Sequence, residues 1–100
     1  MRTVTHADVN AAARRLWSLP RAEWGAAMRR ALIKAHAADA YRKRLGRSHP
    51  IWGNGSLAAS FHFETALPPE PFLAEADFLE ATAEAINAIV EWRKRQNVKV

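Results

Sequence analysis

Apolar residues recur at spacings of three and four in three stretches of this chain, with a turn-rich interval before the last. In the first stretch Val9, Ala12, Ala13, Leu16 and Leu19 share one helical face, and Pro20 ends the run. Thr5 stands where an N-cap belongs. Asp8, three residues on, takes the capping-box position usually held by Glu or Gln. A helix over about 6–18 is predicted. Ser18-Leu19-Pro20 also opens the next one, because proline is tolerated in a first turn and nowhere later.

The second helix is predicted over 21–45. Trp24, Ala27, Met28, Ala31, Ala35, Ala38 and Leu45 fall in one stripe roughly 100° wide. The spacing resembles a coiled-coil seam interrupted by Arg42. Because alanine dominates it, a partner helix can approach closely. Trp24, Met28, Ala31, Ala35 and Ala38 are therefore expected to form an interface between copies. Arg29, Arg30, His36, Lys43, Arg44 and Arg47 lie on the other side, and Gly46 is the natural stop.

An insert over 47–72 follows, beginning Arg47-Ser48-His49-Pro50-Ile51-Trp52-Gly53-Asn54-Gly55-Ser56, dense in turn formers. Ser56 is placed to cap a short helix from Leu57 to about Phe63; the alternative is a strand alternating Phe61 and Phe63. Pro68-Pro69-Glu70-Pro71 reads as a stiff extended connector. The last helix is predicted over 74–95, with Phe78, Leu79, Thr82, Ile86, Ile89, Val90 and Arg93 on one face. Asp77, Glu80, Glu84, Asn87 and Glu91 form a row on another, and Arg93, Lys94 and Arg95 fill the final turn, where cations favour the helix dipole. The fold class is thus all-α: three helices, an insert, and a hairpin of the second and last helices expected to oligomerise. One domain is expected over 1–100, comprising a basic helical half (1–46), a Trp/Gly/Pro-rich connector (47–73), and an acidic-faced helix with a tail (74–100).

Composition changes this picture in two ways. Of the 49% nominally hydrophobic residues among the 100, 21 are alanine, a strong helix former that fills a core poorly. Self-association would compensate for so modest a core. The net charge of +5 divides into +8 over residues 1–50 (11 Lys/Arg, 3 acids) and −3 over 51–100 (4 Lys/Arg, 7 acids). One half suits a polyanion and the other a protein or a second copy, with Glu80 and Glu84 facing a neighbour's bases. No apolar run approaches the roughly 20 residues of a membrane span, and MRTVTHADVN has no signal-peptide core. A cytoplasmic chain is expected.

Candidate chemistry is sparse. The chain has no cysteine, so disulfides and thiolate sites are excluded. No phosphate loop or Gly-x-Ser-x-Gly is present, and Ser56 after Gly55 lacks an identifiable base. His6, His36, His49 and His62 are not spaced as ligand pairs on a helical face. No enzyme activity, metal or cofactor is expected. Asn54-Gly55-Ser56 reads as a turn rather than a glycosylation site. Trp52 is either a plug folding its loop over the helices or an exposed anchor for a partner. The best signal is basic: Arg29, Arg30, Lys34, Lys43, Arg44 and Arg47 are suited to gripping DNA phosphates without reading bases.

The stretch from Ala35 to Leu57, with its string His49-Pro50-Ile51-Trp52-Gly53-Asn54-Gly55-Ser56-Leu57, resembles a family of short alphaproteobacterial proteins. Val4-Thr5-His6-Ala7-Asp8-Val9 and Pro68-Pro69-Glu70-Pro71-Phe72-Leu73 extend the resemblance over nearly the whole chain. That family's members are encoded just ahead of the large terminase of gene transfer agents, phage-like particles that package host DNA. The resemblance implies a small terminase subunit: a homo-oligomeric ring that binds DNA and recruits the large ATPase and nuclease subunit. Val98 and Val100 in the tail, or Trp52, would meet that partner. Small terminases resemble one another in carrying an N-terminal recognition domain, for which this chain has no room, so binding without sequence preference is expected. A protein-only adaptor and a small transcription regulator are the alternatives.

Overall fold

A computed structural model describes residues 1–62 and 66–96. The described residues form four α-helices and a 3-10 turn: α1 (His6–Trp17), the turn Arg21–Glu23, α2 (Trp24–Leu45), α3 (Leu57–His62) and α4 (Ala76–Gln96). The all-α class therefore holds, and the short-helix reading of the insert prevails over the strand, with Phe61 helical and buried. Phe63, Val98 and Val100 lie outside the described residues. No helix among the described residues is long and apolar enough to cross a membrane.

Local chemistry explains four of these boundaries. The Thr5 hydroxyl accepts from the Asp8 N–H, and the Asp8 carboxylate accepts from the Thr5 N–H at 2.8 Å, closing the capping box of α1. Pro20 has no N–H to lose, but the segment it opens begins as a 3-10 turn, and the α-helix proper starts at Trp24. Gly46 ends α2 in the left-handed conformation, φ +73°, with its N–H donating to the Arg42 carbonyl. Ser56 caps α3 by accepting from the Ala59 N–H.

Packing departs from the sequence reading in its choice of faces. Trp24, Met28, Ala31, Ala35 and Ala38 are buried inside this one chain, together with Leu16, Leu57, Phe61, Ala81, Ala85 and Ile89. The expected interface between copies is therefore core: the chain's own helices already cover that seam. On α4 the buried positions are Phe78, Ala81, Ala85 and Ile89, whereas Leu79, Ile86 and Val90 stay outside. Small residues decide this. Ala11, Ala12 and Ala13 of α1 are buried, as are Ala81 and Ala85 of α4, and helices with small facing side chains pack at close range.

The two long helices also run parallel. Arg21, just before α2, pairs with Asp77 and Glu80 near the start of α4. The His36 ring meets Trp92 edge-on at 5.6 Å further along, and Lys43 shares a crevice with Arg93 and Gln96. A hairpin requires antiparallel neighbours, so α2 and α4 do not form the one expected. The insert and connector carry the chain back to the starting end. Part of that return is pinned to α1, where Arg14 donates to the Pro68 carbonyl at 2.7 Å and Asn10 to the Glu70 carboxylate at 2.8 Å.

Candidate nucleic-acid interface

Each long helix has a basic last turn, Arg42, Lys43 and Arg44 on α2 and Arg93, Lys94 and Arg95 on α4. In isolation this placement is ordinary, since cations offset the negative end of a helix dipole. The parallel arrangement brings the two sets to one end of the molecule. Lys43 and Arg93 line the same crevice of about 320 Å³, and Arg47 follows just beyond the end of α2. Lys43, Arg44, Arg47, Arg93, Lys94 and Arg95 are all exposed.

The cluster is organised around one buried acid. Asp39 accepts from Arg42 at 2.8 Å, sits 3.3 Å from the Lys43 ammonium, and lies 3.4 Å from the Met1 ammonium. Burial alone pushes the Asp39 carboxyl up. The hydrogen bonds from Arg42, Lys43 and the amino terminus outweigh it and hold the group down at about 2. Asp39 thus orients two cations while cancelling part of their charge, leaving Arg44, Arg47 and Lys94 as exposed bases of this end, while Arg95 lines the neighbouring groove with Glu84 and Glu91.

The loop after α2 is built against the same acid. Gly55, at φ +93°, passes so close to α2 that a Cβ there would lie 2.7 Å from both Cα and Cβ of Asp39. The Arg2 N–H donates to the Gly55 carbonyl at 3.0 Å. Upstream, the His49 Nδ1 accepts from the Ile51 and Trp52 N–H groups, and His49 and Gly53 pair through both backbone hydrogen bonds. Trp52 stacks on the His49 ring at 4.8 Å, and Tyr41 of α2 meets that ring edge-on at 4.8 Å. Trp52 is half-buried in this aromatic stack, which ties the loop to α2.

The six bases expected to grip DNA consequently separate. Lys43, Arg44 and Arg47 belong to the basic end. Arg29 and Arg30 are exposed about 20 Å back along α2, counting 1.5 Å per residue. Lys34 is half-buried between the two groups. Arg29 faces Arg95 across a groove of about 280 Å³ whose walls also include Glu84 and Glu91, so its surroundings are of mixed sign. Glu80 is taken up by Arg21 of the same chain. Sequence reasoning missed Arg93, Lys94 and Arg95 as partners of the α2 bases. Their clustering was legible, but nothing in the pattern gave the relative direction of the two helices.

Among the described residues no group of three or more His, Asp or Glu is arranged to hold a metal ion. A family model described as Domain of unknown function (DUF7742) matches residues 2–89. No curated protein and no solved structure matches the chain.

Proposed function

Since the chain belongs to the family described as Domain of unknown function (DUF7742), whose description names no activity, we propose a function from its residues: it binds the DNA backbone through its basic end. One observation carries this reading: the parallel α2 and α4 bring their basic last turns to one end of the molecule, where Lys43 and Arg93 line one crevice. Such a cluster meets phosphates by Coulomb attraction and reads no bases, since it offers neither a recognition helix nor a polar side chain set for a groove. The resemblance to proteins encoded beside the large terminase of gene transfer agents gives this activity a setting. There the chain would serve as the small terminase subunit, holding host DNA without sequence preference while the large ATPase and nuclease subunit is recruited. A single basic end is a weak site, and copies acting together would raise its avidity.

Gel retardation with Lys43→Glu, Arg44→Glu, Arg47→Glu and Lys94→Glu combined tests the mechanism. The wild type is expected to retard duplexes of unrelated sequence alike. Four to six phosphate contacts give log K a slope of about −4 to −5 against log salt. The quadruple variant should lose retardation at low salt while keeping its helical circular dichroism. A folded variant with unchanged retardation overturns the reading, and so does a wild type that ignores DNA at low salt. Preference for one sequence over scrambled competitor would favour the regulator instead.

A further inference from the structure

The buried face of α4 leaves a second apolar stripe on the outside of the molecule. Leu79, Ile86 and Val90 are 48%, 45% and 42% exposed, and Ala83 is exposed between them. Spacings of seven and four set Leu79, Ile86 and Val90 along one side of the helix, and Ala83 lies at the edge toward the acidic row, lining a groove with Glu80, Glu84 and Asn87. The stripe is bordered by the uncharged Thr82 and Asn87, and formal charge appears only at its ends. Glu75, whose carbonyl opens α4 by accepting from the Leu79 N–H, stands at one end and Arg93 at the other. They are about five helical turns apart at 3.6 residues per turn, and so lie on the same flank.

We propose that this stripe is a two-fold interface with a second copy of the chain, the two α4 helices packing antiparallel. A two-fold axis between Glu84 and Ala85 sets Leu79 opposite Val90 of the other copy and Ala83 opposite Ile86, so that two aliphatic side chains meet at each outer level and a small residue faces a large one near the axis. The same axis brings Arg93 of each copy to Glu75 of the other. It also opposes the two helix dipoles. A parallel pairing would instead set Glu75 against Glu75 and Arg93 against Arg93, so charge selects the antiparallel form. Phe72 and Leu73, 85% and 64% exposed, stand where the partner's C-terminal turn arrives and extend the apolar contact. One helix face is a small contact beside the roughly 800 Å² per side of a standard interface, so the association is expected to be reversible. This inference does not rest on DNA binding, because the contact forms from the chain alone.

Sedimentation equilibrium of the full chain, without DNA, over a series from low micromolar to millimolar tests it. The expected result is reversible association from 11.2 kDa to twice that mass. Ile86→Glu should weaken association at least about 100-fold and leave circular dichroism and the melting temperature nearly unchanged, because the side chain is surface-exposed. Glu75→Arg and Arg93→Glu should each weaken the dimer, and the two together should restore it. A chain monomeric throughout, a dimer indifferent to Ile86→Glu, an assembly larger than two, or a double swap that fails to recover would each overturn the proposal. Gel retardation is scored separately, so loss of either reading leaves the other standing.

Discussion

Asp39 shows how much can depend on one side chain. Its carboxylate is buried, receives three cationic donors and backs onto Gly55. The folded group titrates at about 2 against an ordinary 3.8, so the fold favours the charged form. Its contribution is complete above about pH 4 and is lost as the pH falls through the interval down to about 2. Urea denaturation at a series of pH values should show an acid limb of the order of 2 kcal/mol, and Asp39→Asn should flatten that limb. Gly55→Ala puts a methyl group into the backbone of α2 at a positive φ. It should cost about 2–4 kcal/mol by urea denaturation at neutral pH, whereas Gly46→Ala meets open space and carries only the conformational penalty.

At the scale of elements, the N-termini of α1 and α3 share one acid. Asp8 closes the capping box of α1 with one oxygen, and its other oxygen accepts from the Ala58 N–H at 2.8 Å. Asp8→Ala therefore unties two helices at once and leaves donors behind. A loss of about 2–3 kcal/mol in thermal or urea denaturation is expected, against about 1 kcal/mol for Ser56→Ala, which removes a single cap. The capping box, the Gly46 stop, the Ser56 cap and the Asn54-Gly55 turn were all legible as residue types at fixed offsets. The second role of Asp8 was not, because its partner lies fifty residues away. Face selection on α4 misled for a related reason. Periodicity weighted toward large residues chose Leu79, Ile86 and Val90, while close approach to α1 selected Ala81 and Ala85 for burial.

At the scale of the whole molecule, the division of charge along the chain is rearranged by folding. The +8 and −3 halves are not two faces, because the last turn of the acidic half joins the last turn of the basic one. The start of α4 turns its acids toward Arg21 at the other end. The molecule is polarised along its long helices, and for that reason the proposed DNA contact is tested by reversing the end that α2 and α4 share. In the proposed dimer, antiparallel α4 helices would carry the two basic ends to opposite extremes of the particle, so each copy keeps its own apart from Arg93, which meets the other copy's Glu75.

The sequence by itself determined the all-α class, the helix boundaries to within a few residues, the caps and turns, and which residues are basic. All of these follow from interactions within a few positions along the chain, where residue type and spacing are sufficient. The tertiary structure alone decided that the alanine seam of α2 is core, that α2 and α4 run parallel, and that the basic last turn of α4 comes to the same end as that of α2, with Arg93 and Lys43 lining one crevice. Those outcomes depend on how closely helices approach and in which direction a connector returns. Periodicity, which repeats identically whichever way a helix points, carries no trace of either.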